Sequence, residues 1–324
     1  MGYWPRRRFI VALGALTLVA RAALAQPRAA RIGIVEFGAP PPGGFANIYV
    51  AALKQLGYSE PDSLQIERRY AEGDSTRFAE LLKDLSLRNV DLIFAVGTDI
   101  ANVAKQVVPG VSVVTAGSED PVMSGLIREY RRPGGNITGV TYLSPQLASK
   151  RLELLKEAIP GLARVAVLWD PSHFDTYYRD MEPVAAGLGI RLQLLEVRAP
   201  AEIDGAIATA QKARAQAVFV VPSRMVNLEA RRIGRLALGA RLPVMAAYAN
   251  FTDAGGLMSY GAVTAEMLSR AAEQTVRILK GAKAGDLPFE QAATFELVIN
   301  LKTAKEIGLA IPQSMLVRAD RVVE

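Results

Sequence analysis

The sequence predicts an α/β fold of two lobes, each a parallel sheet wrapped by helices, with crossover hinge strands joining them. Three observations predict it. Short apolar runs alternate with amphipathic stretches from about residue 30 onward, the pattern is written twice, and glycine-rich segments lie where one copy meets the other. Runs that are apolar throughout suit strands covered on both faces, as in Rossmann-like parallel sheets.

The first copy opens with an apolar strand over residues 32–37 and a helix over 44–57 that stops at Gly57. A second strand follows at 64–70. Ser75 is placed to cap a helix whose Phe78, Leu81, Leu82 and Leu85 recur at helical spacing. Strands at 92–96 and 111–116 flank a helix beginning at Thr98. The second copy restarts at residues 163–168, whose Ala-Arg-Val-Ala-Val-Leu echoes Ala30-Arg31-Ile32-Gly33-Ile34-Val35. Residues 215–223 match 90–98 in character, and residues 243–246 take the part of the fourth strand.

Two segments connect the copies. Residues 133–141 read as a glycine-rich turn, a short β run and then Ser144-Pro145 entering a helix, with serine at the cap and proline at the first helical position. Leu152, Leu155 and Ile159 form the buried face of that helix. Residues 255–261 form a second link before a helix at 264–280. The expected division is a targeting segment at 1–25, a first lobe at 26–141 to which 262–284 returns, and a second lobe at 142–261 and 285–324. Lobes joined by several short crossovers can hinge.

Half of the 324 residues are hydrophobic and 22% are charged, an ordinary balance for a chain with real cores. The net charge of +6 misleads about partners, because its excess lies at the start. Arg6, Arg7 and Arg8 precede an apolar run over 9–20, and Ala23-Leu24-Ala25 has small residues where a signal peptidase cuts. The run is too short for a bilayer span, which needs about 20 apolar residues. Both an ordinary secretory signal and a twin-arginine signal fit this segment. Cleavage before Gln26 leaves 34 basic against 32 acidic residues, which argues against a nucleic-acid footprint. The chain has no cysteine and one histidine, so neither a disulfide framework, nor a lipid-modified N-terminus, nor an ordinary zinc site is expected. No P-loop and no G-x-G-x-x-G after a strand is present, and no cofactor is expected.

Several separate stretches, in this order, resemble the ABC-transporter substrate-binding family with the type I periplasmic binding protein fold. They are Asp120-Pro121-Val122 with Gly125-Leu126-Ile127, then residues 132–139 (RPGGNITG), 150–156 (KRLELLK), 254–261 (AGGLMSYG) and 295–304 (FELVINLKTA). Some members of that family handle aromatic amino acids. The export signal and the lack of cysteine lead us to expect a periplasmic location, and the lack of a mature transmembrane run a protein that is not membrane-embedded; the resemblance implies a monomeric carrier. It would capture an amino acid or an aromatic or carboxylate compound between its lobes and deliver it to a permease and ATPase. A periplasmic sensor serving a receptor kinase, or a soluble periplasmic hydrolase, would share the scaffold. The loops at 38–44, 223–228 and 247–251 depart from the commoner family pattern.

Ligands of open parallel sheets bind beyond the carboxyl ends of the strands. That rule selects Phe37, Gly38, Gly97, Thr98, Ala116, Ser118 and Asp120 from the first lobe. From the second it selects Asp170, Phe174, Ser223, Arg224, Tyr248 and Asn250. Gly97 would let the backbone approach a ligand carboxylate, which Thr98 would hold at a helix start; alternatively, Thr98 only caps its own helix. Asp120 and Asp170 either pair with a ligand ammonium or serve turns before proline. Phe174, Tyr177, Tyr248 and Phe251 either wall an apolar slot or belong to the core. Arg224 either grips a second carboxylate or is a loop cation. Asp170, Ser172, His173 and Asp175 hold the residue types of a hydrolytic triad, but neighbours in one short loop rarely aim correctly at one another.

Overall fold

The computed structural model describes residues 28–40, 44–142, 144–171 and 177–324. The expected targeting segment at 1–25 lies outside the described residues, as do Ser172, His173, Phe174 and Asp175.

The chain begins with β1 (Ala30–Glu36), α1 (Gly44–Gln55), β2 (Leu64–Tyr70), α2 (Phe78–Leu87), β3 (Leu92–Val96), α3 (Thr98–Val107), β4 (Ser112–Gly117) and β5 (Ile137–Thr141). It continues through α4 (Ser144–Ala158), β6 (Arg164–Trp169), α5 (Tyr177–Gly187), β7 (Arg191–Glu196), α6 (Ile203–Lys212), β8 (Ala217–Val220), α7 (Arg224–Leu228), α8 (Ala230–Gly239), β9 (Val244–Ala246), α9 (Ala249–Asp253) and β10 (Met258–Ala262). It ends with α10 (Thr264–Leu279), β11 (Glu290–Gln291), β12 (Phe295–Asn300), α11 (Leu301–Ile307), α12 (Gln313–Arg318) and β13 (Arg321–Val323).

These strands make two sheets, in the orders β11-β5-β4-β3-β1-β2 and β13-β12-β10-β9-β8-β6-β7. Every pairing in the first is parallel; in the second only β10 against β12 is antiparallel. The continuous apolar runs have the expected cause. In β3, Leu92 and Phe94 enter one core while Ile93 and Ala95 enter the core on the opposite face. In β6, Val165 and Val167 divide from Ala166 and Leu168 in the same way.

After α4 to β10 build the second sheet, α10 returns to cover the first. It packs against α1, where the Tyr49 hydroxyl and Thr275 Oγ1 lie 2.6 Å apart in a buried hydrogen bond. The Tyr49 ring stacks on Phe94 at 3.7 Å. The returning segment extends past residue 284, the end expected for it. Phe289 is buried in the first core, β11 pairs with β5, and Gln274 Nε2 donates to Pro288 O at 3.1 Å and Glu290 Oε1 at 3.2 Å. The chain crosses to the second sheet only at β12.

One helix start differs from its expected form. Ser75 does not cap α2; it opens a short 3₁₀ turn at Ser75–Arg77, which Asp74 caps by accepting from Thr76 N at 2.9 Å. Asp beats Ser here because its carboxylate also accepts from the Thr76 hydroxyl at 2.6 Å.

Candidate functional site

The carboxyl ends of β1, β3 and β4 face those of β8 and β9 across a cavity of about 180 Å³. Nine of the residues selected from sequence line it: Phe37, Gly38, Gly97, Thr98, Ala116 and Ser118 from the first lobe, with Ser223, Arg224 and Tyr248 from the second. An engineered apolar cavity of about 150 Å³ holds a benzene ring, so this space suits a small organic molecule.

Two glycines shape the floor. Gly97 has φ +121°, a conformation that side chains strain to adopt, and it turns β3 directly into α3. A Cβ on Gly117 would collide with Thr98 Oγ1, so glycine there lets the Thr98 hydroxyl sit against β4. Thr98 is thus the first residue of α3 and not its cap, a position taken by Gly97.

Tyr248 stands in the wall. Its ring meets Phe45 edge-on at 5.3 Å and 82°, and Tyr142 at 5.5 Å and 69°. Such edge-to-face pairs each contribute about 0.5–1.5 kcal/mol beyond area burial. Ser223 caps α7 by accepting from Val226 N at 3.2 Å.

Arg224 lines the cavity and is paired within the protein, so it is not an exposed loop cation. Its Nη1 pairs with Asp99, and its guanidinium carbon lies 4.7 Å from the Phe37 ring centroid and 5.2 Å from that of Phe78. Burial pulls its pKa down to about 10, so it stays charged near neutral pH. Asp99 Oδ1 also accepts from Ile100 N at 2.9 Å. The anion beside the start of α3 is therefore a carboxylate of the chain itself, at the end where a ligand carboxylate was expected.

Three selected residues fall elsewhere, and a fourth is not among the described residues. Asp120 closes a turn by accepting from Val122 N at 2.8 Å and Met123 N at 3.1 Å, the role that aspartate before proline favours. Asp170 is buried but does not line the cavity. Asn250 Nδ2 donates to Asn227 Oδ1 at 2.9 Å, so it supports a lining residue without lining the cavity. Phe174 lies outside the described residues, as does the Tyr177 side chain. Phe251 belongs to the second-lobe core. Conversely, Glu36, Phe45, Asp99 and Asn227 line the cavity and were not selected. Glu36 could have been found as the acidic residue that ends the apolar run of residues 32–35, and Asp99 as a carboxylate one residue beyond Thr98.

Among the described residues, no group of three or more His, Cys, Asp or Glu side chains could hold a metal, and no helix is long and apolar enough to cross a membrane.

A two-lobed fold of this kind is shared by known proteins. Residues 47–323 match the family described as ABC transporter substrate binding protein. The chain belongs to that family. Members of this substrate-binding family bind solutes and do not transform them. A tyrosine-binding protein of Clostridioides difficile (strain R20291) is 22% identical over 264 residues, 81% of this chain and 75% of the relative. A Streptococcus pneumonia ABC domain solved in complex with L-Trp superposes with a TM-score of 0.82 at 25% identity, covering 91% of this chain and all of that one. A conserved domain protein from Vibrio cholerae has the same TM-score and coverage at 23% identity. The substrate-binding fold, with two parallel-dominated sheets, is therefore as the sequence implied.

Proposed function

We propose that this substrate-binding protein captures an amino acid in the interlobe cavity and delivers it to the permease and ATPase of an ABC importer. The observation that carries the reading is the cavity itself, walled by loop ends from both sheets at the place where parallel sheets bind ligands. The L-Trp complex and the tyrosine-binding relative support an aromatic amino acid within this class. The rings of Phe37, Phe45 and Tyr248 in the lining suit a flat side chain.

The charged lining residues are Glu36, Asp99 and Arg224, of which Asp99 and Arg224 pair with one another. Thr98 and Ser118 add hydroxyls to the first-lobe side, and Asn227 adds an amide to the other. Hydrogen bonds to these groups would fix the ligand's orientation, while exclusion of water from the rings would supply affinity.

Export to the periplasm, with residues 1–25 removed, completes the proposal. It rests on the basic-apolar-small order of that segment.

The test is a thermal-shift and calorimetric screen of refolded, ligand-stripped protein against the standard amino acids and aromatic carboxylates. Saturable stabilisation by L-tryptophan, L-tyrosine or L-phenylalanine is the expected result. Stabilisation by none of the amino acids would overturn the ligand class.

A further inference from the structure

Arg224 is rooted in one lobe and finds its partners in the other. It opens α7, which follows β8 of the second sheet. Phe37 follows β1, Phe78 begins α2, and Asp99 sits in the first turn of α3, all on the first sheet. The two rings stand 6.3 Å apart at 62°, and the guanidinium lies over both while Asp99 takes its Nη1. Its Nε is buried and meets no acceptor in the protein. Leu228, at the other end of α7, reaches the same way and lies against Gly38.

A cation desolvated over aromatic faces, with a carboxylate at its edge, gains from each contact only while the lobes are together. Opening the cleft removes all of them at once and returns the charge to water. No ligand is needed for any of these contacts. Arginine suits this role better than lysine, because its planar group stacks on rings while its edge nitrogens face a carboxylate.

We propose that Arg224 is an interlobe latch: it sets the balance of open and closed forms before ligand arrives and thereby sets ligand affinity. Apparent affinity falls in proportion to the fraction of protein in the binding-competent form, so a residue that shifts this balance tunes binding apart from any contact it makes with ligand. The proposal rests on the cleft reading above, but its central test needs no ligand.

The chain lacks cysteine, so one spin-label cysteine can be placed in each lobe without removing native ones. Distance distributions of ligand-stripped protein are then compared for wild type, R224A, R224K and D99N. Wild type is expected to show a closed population. In R224A the closed-to-open ratio should fall about 3- to 30-fold, the range of a partly desolvated cation–π contact, and in D99N, which keeps the rings and loses only the carboxylate, it should fall by less. R224K should fall between wild type and R224A, and the R224A/D99N double variant should open little further than R224A alone. D99N alters the opposite lobe, so it also tests the latch if R224A folds poorly. Distributions in R224A and D99N that match wild type, or a stripped wild type that is wholly open, would overturn the proposal. With L-tryptophan as probe, affinity should fall by the same factor as the closed population. Variants that open while no amino acid binds even wild type would leave the latch standing and sink the ligand reading. Unchanged distances with normal L-tryptophan binding would do the reverse.

Discussion

Replacing Tyr248 by alanine tests whether the aromatic wall of the cleft holds the ligand-bound form. Tyr248 comes from the second lobe, whereas Phe45 is on α1 of the first and Tyr142 follows β5 at the crossover. The substitution deletes two edge-to-face pairs that span the cleft. At about 0.5–1.5 kcal/mol each, their combined loss is about 1–3 kcal/mol, or roughly 5- to 150-fold in affinity. Any contact of the ring with ligand adds to that figure. Calorimetry with L-tryptophan or L-tyrosine reads the affinity, and urea unfolding of the ligand-free protein reads stability. Because Tyr248 is only partly buried, its loss should weaken binding more than it weakens folding. Phe45→Leu removes one pair and should give an intermediate affinity. A Y248A protein that folds normally and binds within twofold of wild type would refute the argument.

The remaining predictions concern packing and charge. Tyr49→Phe leaves Thr275 Oγ1 buried without its 2.6 Å partner and should cost about 1–3 kcal/mol in urea unfolding. Gly117→Ala drives a Cβ into Thr98 Oγ1 and should cost about 1–3 kcal/mol. Adding Thr98→Ala should recover much of that loss, and an additive double variant would show the clash is not its source. Hydrogen bonding from Arg69, at 2.6 Å, holds the Asp84 carboxyl below its ordinary value of 3.8. A depressed carboxylate stabilises the fold above its unfolded pKa and loses that contribution as pH falls through its folded value. Asp84→Asn should therefore lower the urea midpoint slightly at pH 7, and the gap from wild type should close below about pH 4. A gap that is constant with pH would contradict the linkage. The exposure of the pair keeps the effect small.

Strands were the most legible part of the sequence. A run such as Leu92-Ile93-Phe94-Ala95 can be satisfied only where both faces are covered, and each neighbour enters a different core. The strand-end rule then led to nine of the cavity-lining residues without any knowledge of side-chain direction. It erred where a residue's local alternatives were strong. Asp120 has two backbone N–H groups within its own turn, and Phe251 turns inward from α9 into the second core. The extent of the return segment was also hidden, because β11 is only two residues long and has no periodicity to read. It is held in place by Gln274, from an element that precedes it in the chain.

By itself the sequence determined the class of fold, the doubling of the pattern, the crossovers and the family, because these follow from apolar periodicity, turn chemistry and short linear stretches. Only the tertiary structure decided which carboxylate Arg224 meets, which glycine makes room for Thr98, and which rings wall the cleft. Those pairings join Arg224 to Asp99, Gly117 to Thr98, and Tyr248 to Phe45. The partners lie on different elements, often on opposite lobes, and no local pattern of residues encodes a contact that exists only once two separately wound sheets face one another.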